Sequence, residues 1–535
     1  MVKQEWDEVF DTLVVGSGGG GLIGAYTAAS RGLKTVVVEA TDKFGGTTAY
    51  SGSGMWLPGN PVLQRHGEPD SAAAARTYYK AVVGTRTPES LQDAYLETGP
   101  KMIEDLERNP LFRFEVYPWP DYYGRLPHAH PVGRHIISRA LPAAELGDLR
   151  KDLRPTLSTE REGQPPLDPL MAGQALIGRA LLAVRGTGNA ELRLSSPLES
   201  LVMEDGKVAG AVVTYRGRPW RIRARRGVLL AAGGFEQNDE LRKRFGIAGP
   251  AKWSVGAPGN QGKALLAGMA VGAATDLLGE AWWSPGLMHP DGTATFTVGV
   301  LGGILVNGAG ERFANETMAY DRLGREMLKG EATGIRHIPS WMIWDDQFGG
   351  EPPVMNASVA LHAREAYLRA GLWQTADTLR ALAAAIEVPP KALEATVERF
   401  NRFAAKGVDE DFHRGEEPFE KFIFTAADQL ENLVSNEGKM GKGPREKGPN
   451  PGLIPLLKPP FHAAAVAVSD LGTKGGLKTD AAGRVLRADG SVIHGLYAAG
   501  NTMAAVSGEA YPAGGNPVGS SAVFSYLAAL DMVKS

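Results

Sequence analysis

Gly16, Gly18 and Gly21, set in the run Gly-Ser-Gly-Gly-Gly-Gly, and Glu39 further along are residues whose types and spacing could do chemistry. The spacing Gly-x-Gly-x-x-Gly allows a tight turn at Gly16 and lets a pyrophosphate approach the main chain at Gly18. At Gly21 it lets a helix pack closely on a strand. The phosphates would then lie at a helix N-terminus, where free N–H groups and the helix dipole favour anions, with Ser17, Gly19 and Gly20 among the binding residues. Glu39 would accept hydrogen bonds from ribose hydroxyls and repel a 2′-phosphate.

Such a cradle needs a strand, a turn, a helix and a second strand, and the flanking sequence supplies them. Residues 11–16, DTLVVG, form a short apolar run of the kind buried in a parallel sheet. LIGAYTAASRG follows with small and apolar residues at helical spacing, and Gly32 marks a helix end. A second apolar run, 34–38, leads to Glu39. Beyond it, EATDKFGGTTAYSGSG (39–54) is rich in glycine and hydroxyls. A nicotinamide cofactor has little use for that segment. A flavin needs close backbone and hydroxyl donors for its ribityl chain and ring edge, here at Gly46, Thr47, Thr48, Ser51 and Gly52. The expected cofactor is FAD, held without a covalent link.

Later segments return to this frame. RRGVLLAAGGFEQN (225–238) is an apolar strand ending at Ala232-Gly233, and it follows a strand-rich stretch, 201–223, with Asp205-Gly206 as a hairpin turn. GRVLRADGSVIHGLYAAGN (483–501) reads as a hairpin closing at Gly500-Asn501. Asn516, Pro517 and Val518 then open an apolar helix whose N-terminus would stabilise negative charge on a reduced flavin. The expected fold is α/β: a discontinuous Rossmann-like FAD-binding domain from 1–280 and 462–535, with an inserted α+β substrate domain at 281–461. Within the insert, 373–407 reads as two helices broken at Pro389-Pro390.

A chain of 535 residues is too long for one simple core. A formal net charge of −3 gives no whole-protein attraction to nucleic acid. Cysteine is absent, which excludes disulfides, thiolate metal ligands and a cysteinyl flavin link. His128 and His130 form an His-x-His pair without a suitably spaced third ligand, so no metal is expected. The acidic start and the lack of an apolar run of about 18 to 20 residues lead to a cytoplasmic expectation. The segment 431–460 departs from this plain picture. Between 439 and 458 it carries five basic residues against Glu446, beside the apolar run 452–457. It reads either as a surface loop or as a basic and apolar patch touching a membrane near the pocket mouth.

From Tyr26 onward the chain resembles the 3-ketosteroid Δ1-dehydrogenases over nearly its whole length. The shared pieces include KFGGTTAYSG (43–52), PWPDYYG (118–124), GEAWWSPG (279–286), ERFANETMAYDRLGR (311–325), SDLGTKGGLKTD (469–480) and GLYAAGNTMAAVSGEAYPAGGNPVG (495–519). The resemblance implies desaturation of a 3-ketosteroid, with a hydride leaving C1 for flavin N5 and a proton leaving C2. It implies that Tyr320 takes the proton, Tyr122 supports it, and the Tyr511 phenol and the Gly515 backbone N–H hold the ketone oxygen. Trp119 and Phe296 would line the apolar pocket, and cofactor contacts extend to Val202, Ala232, Gly233, Gly500 and Asn501. A quinone or another redox partner is the implied electron acceptor.

A phenol with a reference pKa near 10 is a poor base at neutral pH, and a hydrogen-bonding neighbour is expected to lower it. Donors at the ketone acidify C2–H by stabilising the developing enolate. Three other readings stand beside this one. A Δ4-dehydrogenase would share the fold and act at a different ring position. A fumarate reductase-like protein would need arginines and histidines clamping two carboxylates. A non-catalytic flavin or steroid binder is the third.

Overall fold

Parallel register turns the glycine motif into a site. Strand Glu8–Val15 pairs in parallel with Thr35–Val38 on one side and Arg218–Leu230 on the other, matching Val15 with both Val38 and Leu230. Val492–Ala498 continues the sheet, pairing Ala498 with Leu230, and Ala190–Arg193 pairs with Thr35–Val38. These strands end level, so the turns beginning at Gly16, Glu39, Ala231 and Ala499 leave from one edge. Thr35–Val38 (TVVV) is β-branched and buried throughout, as an interior strand with both faces covered requires. The sheet is completed to eight strands by the hairpin strand Arg484–Leu486 and by Leu198–Glu204 and Lys207–Tyr215, which build outward from Arg218–Leu230. The turn at Asp205-Gly206 falls as expected.

Helix Gly19–Ala29 is buried on nearly every side, between this sheet and the C-terminal helix Asn516–Lys534. A side chain at Gly20 would strike Ser521, and one at Gly24 would strike Leu229 and Ser525. Small residues therefore set how closely the two helices pack.

The structure is a computed structural model, and it describes residues 5–68, 70–356, 359, 361–430 and 448–535. Its second sheet has seven strands, ordered Ile304–Val306, Ser340–Asp345, Phe461–Thr473, Ala281–Met288, Ala294–Val300 and Val354–Asn356, with Trp373–Ala376 also on Phe461–Thr473. Every pairing in it is antiparallel. The expected boundary at 462 falls at the start of a strand of this second sheet. Phe461–Thr473 is buried almost throughout and pairs with three strands of the second sheet, because an apolar run of that length needs partners on both sides. The chain rejoins the first sheet only after it, at Arg484–Leu486. Trp373–Ala376 is likewise a strand, so the two helices of that region are Leu379–Ala385 and Pro390–Lys406, with Pro390 in the first helical turn where its missing N–H costs nothing.

A small three-stranded sheet, Met55–Trp56, His135–Ser138 and Phe114–Val116, lies in neither large sheet and brings 114–138 over the cavity. The apolar run 452–457 is not a surface patch. Leu453 and Leu456 are each at most 2% exposed in a cluster with Val397 and Phe400, Ile454 is equally buried in the main core, and Leu457 is exposed, at 65%. The basic residues from 439 to 447 lie outside the described residues. Among the described residues, no helix is long and apolar enough to cross a membrane and no cluster of side chains could hold a metal. His130 Nδ1 instead accepts the Gly133 N–H at 3.0 Å.

Candidate active site

One cavity of about 390 Å3 runs from the glycine turn to a chamber of buried aromatic rings. At its first end Gly16 holds φ +102 against the Ala231 carbonyl, a position no side chain could occupy. Gly21 is closed by the Gly16 carbonyl and packs behind the turn instead of lining it. Gly18, Gly46 and Gly52 are different. Nothing lies within 3.7 Å of the place a side chain would take, so their backbone is open for a ligand to approach. Ser17 Oγ donates to Glu39 Oε2 at 2.6 Å, and Thr41 donates to Oε1 at 3.0 Å through both N–H and Oγ1. The carboxylate is thereby fixed at the wall with lone pairs left for a ligand hydroxyl. The Gly19 N–H donates to Thr48 Oγ1 at 3.1 Å, tying the hydroxyl-rich segment to the helix start. Thr47 Oγ1 accepts from Ala257 N–H and from Asn260 Nδ2, both at 2.9 Å.

Two helix N-termini, at Gly19 and at Asn516, meet this cavity, a favourable setting for phosphates and for ring charge. Asn516 Oδ1 and Ser53 Oγ are buried without partners. An open glycine backbone, an acid at the cavity wall, hydroxyls and two helix starts form a donor set that fits FAD. The lining includes Ser17, Gly19, Gly20, Ser51, Ala232, Gly233, Gly500, Asn501, Pro517 and Val518. Val202 does not take part. The wall there is Ser196, Pro197 and Leu198, and Val202 lies about 13 Å further along its strand, paired with Gly210.

At the other end Tyr122, Tyr320 and Tyr511 face one another. Their ring centroids are 5.3 to 5.6 Å apart in edge-on contacts, and the Tyr320 hydroxyl donates to that of Tyr511 at 3.0 Å. Trp119 Nε1 donates to the Tyr122 hydroxyl at 3.0 Å, and Phe296 stands edge-on to Tyr320 at 4.7 Å. Three separate segments position these rings. Tyr122 N–H is fixed to the Pro512 carbonyl at 2.9 Å, so the loop of Tyr122 is tied directly to that of Tyr511. Tyr320 opens helix Tyr320–Glu331, and Tyr511 sits just before the glycine turn at Gly515, whose φ is +84.

Burial is the dominant electrostatic influence. It pushes Tyr320 well above the usual phenol range, and the Tyr122 and Tyr511 phenols push it the same way. The expectation that a neighbouring tyrosine lowers this phenol is therefore reversed, because Tyr320 is the donor in its hydrogen bond to Tyr511. Burial raises Tyr122 and Tyr511 as well. At Tyr511 the Tyr320 hydroxyl and the Gly515 backbone N–H work against the rise. That places the two proposed ketone donors, the Tyr511 hydroxyl and the Gly515 amide, side by side.

Several lining residues carried no signal in the sequence. His135 is 8% exposed with neither ring nitrogen partnered, and burial lowers it to about 3. Arg154, 2% exposed, donates to Thr41 Oγ1 at 2.7 Å and brings a cation close to Glu39. Behind the lining, Trp282 of the GEAWWSPG segment stands 5.0 Å from the Tyr511 ring and donates to Asn501 Oδ1 at 3.1 Å.

A dinucleotide cradle that opens straight onto a buried chamber of phenols defines a flavin-dependent class of protein. The family model for the FAD binding domain matches residues 11–518. The chain is 38% identical to the 3-oxosteroid 1-dehydrogenase of Rhodococcus opacus, over 99% of this chain and 100% of that one. It is 37% identical to the 3-oxosteroid 1-dehydrogenase of Mycobacterium tuberculosis, over 97% and 98%. The solved 3-ketosteroid Δ1-dehydrogenase of Sterolibacterium denitrificans, in complex with 1,4-androstadiene-3,17-dione, superposes with a TM-score of 0.87 at 32% identity, covering 98% of this chain and 100% of that one. The chain belongs to the 3-ketosteroid Δ1-dehydrogenase family of FAD-binding proteins, and FAD is its cofactor.

Proposed function

We propose that this protein desaturates the C1–C2 bond of 3-ketosteroids, converting a 3-keto-4-ene to a 3-keto-1,4-diene. The observation that carries the reading is the Tyr320–Tyr511 hydroxyl contact of 3.0 Å, in a buried chamber continuous with the flavin cradle. The Tyr511 hydroxyl and the Gly515 N–H grip the C3 oxygen and draw negative charge onto it. That acidifies the adjacent C2–H, and Tyr320 takes the proton as general base, although burial keeps its ionised form scarce. Tyr122 and its Trp119 donor hold the ring of Tyr320 in place. Bound FAD supplies the acceptor for the hydride that leaves C1. Trp119, Phe296 and Val298 exclude water, which strengthens each of these interactions.

The Δ4 and fumarate reductase-like readings find less support. Tyrosines and aromatic rings surround the chamber, and among the described residues the single arginine of the cavity lining, Arg154, lies beside Glu39 at the nucleotide end. We further propose a quinone or redox protein as the electron acceptor and a cytoplasmic setting. The residues left for peripheral membrane contact are 439–447 and Leu457. The deciding experiment is anaerobic addition of a 3-keto-4-ene steroid to the yellow holoenzyme. The flavin absorbance should bleach and a 1,4-diene should form. A yellow protein that binds the steroid and stays oxidised overturns the reading.

A further inference from the structure

Lys474 is a fully buried cation that the reaction as described leaves unused. It stands in the segment SDLGTKGG, with its main chain fixed on both sides: its N–H donates to the Glu280 carbonyl at 2.8 Å, and its carbonyl accepts the Ala505 N–H at 3.0 Å. Its side chain reaches both halves of the phenol pair. Nζ donates to the carbonyls of Glu509 at 2.6 Å and Ala510 at 3.1 Å, the two residues that precede Tyr511. The same Nζ lies 3.5 Å from Oδ1 of Asp321, the residue that follows Tyr320. It also sits 4.3 Å above the Trp282 ring and 5.9 Å from the centre of the Tyr511 ring.

We propose that Lys474 is a positioning residue and the local positive charge of the phenol pair, fixing the Tyr511 loop against the Tyr320 helix and stabilising negative charge as it develops on the phenol and ketone oxygens. The proposal rests on reading Tyr320 and Tyr511 as the catalytic phenols. Two negative oxygens in an apolar chamber need a nearby counter-charge. Among the described residues, Lys474 is the fully buried ammonium touching both segments that carry those phenols. A cation on the ring face also makes the Tyr511 hydroxyl a better donor.

The charge is titratable near working pH. Burial lowers Lys474 to about 8, with Asp321 and Glu280 opposing and Arg325 adding to the fall. These, with the Tyr511 and Trp282 rings and the two carbonyls, are the groups that face it. As pH rises through that value the cation is lost, so turnover should fall on the alkaline side.

The test compares holoenzymes carrying Lys474→Met, Lys474→Arg and the double change Lys474→Met with Asp321→Asn, which removes the stranded acid. Flavin occupancy and melting temperature report folding, and perturbation of the flavin spectrum by a bound 3-ketosteroid reports affinity. Lys474→Met and the double variant should bind steroid within a few-fold of the parent and lose kcat by roughly 10²-fold, the scale of a small misplacement of reacting groups. Both should also lose the alkaline limb. Lys474→Arg should recover part of kcat and carry activity to higher pH. A double variant with parental kcat overturns the proposal, as does an arginine variant with an unchanged alkaline limb. Tyr320→Phe, run in parallel, separates the two readings. If it stays active, the assignment of the phenols has failed; if it is inactive while Lys474→Met is normal, only the role of Lys474 has failed.

Discussion

The Tyr320 hydroxyl donates to the Tyr511 hydroxyl across 3.0 Å, joining a helix start to a loop 191 positions away in sequence. The two phenols occupy one buried chamber and differ in what bears on them: Tyr320 and the Gly515 amide both hold the Tyr511 phenol down, whereas its phenol neighbours push Tyr320 up.

Removing either hydroxyl should separate binding from chemistry. Tyr511→Phe deletes an oxyanion donor and should lower kcat by roughly 10² to 10³-fold, about 3 to 4 kcal/mol, with a smaller change in KM. Tyr320→Phe should abolish anaerobic flavin bleaching while steroid still perturbs the flavin spectrum. Steady-state rates with a dye acceptor, set beside spectral titrations, measure both.

Glycines within one motif should fail in different ways. An alanine at Gly18 meets nothing within 3.8 Å, so Gly18→Ala should fold normally and bind FAD weakly, since the methyl fills space the ligand needs. An alanine at Gly21 runs into the Gly16 carbonyl, and Gly21→Ala should lower the stability of the apoprotein itself. Thermal melts of apo and FAD-saturated protein distinguish the two. Equal apo stabilities would contradict the assignment.

His135 should make the protein acid-sensitive. Its folded-state value of about 3 lies below the ordinary 6.5, so between these limits the unfolded chain binds a proton that the folded chain does not. Stability is therefore lost as pH falls through that window, at up to about 1.4 kcal/mol per pH unit from this group. His135→Leu should flatten this part of the stability–pH curve, as read from denaturant midpoints at pH 4 and pH 7.

The segment around 452–457 should behave as core. Leu456→Ala should cost about 2 to 5 kcal/mol, as for other large apolar truncations at buried sites. Deleting 439–458 should destabilise the second domain, because it removes Leu453, Ile454 and Leu456. Deleting 439–447 alone keeps those contacts and tests peripheral membrane contact cleanly: if that contact exists, the shortened protein leaves the membrane pellet.

The nucleotide cradle was legible because its chemistry is local. A turn, a helix start and an acid at a strand end are written in nearby residues, and in the structure Ser17 of the turn hydrogen-bonds Glu39 at the strand end. The phenols are another matter. Nothing in the spacing of 122, 320 and 511 brings them together, and their grouping was readable only through resemblance to a family.

What the tertiary structure alone decided depends on long-range pairing and on burial. Phe461–Thr473 belongs to the second sheet because its partners lie there, and its own sequence does not name them. Val202 falls outside the cavity because its strand runs past the wall before reaching it. The ionisation of Tyr320 is set by how much water reaches it and by which neighbour accepts its proton, and neither can be computed from residue types in order. Lys474 shows the same limit: its side chain joins Asp321 to the residues before Tyr511 through contacts that exist only once both domains have folded.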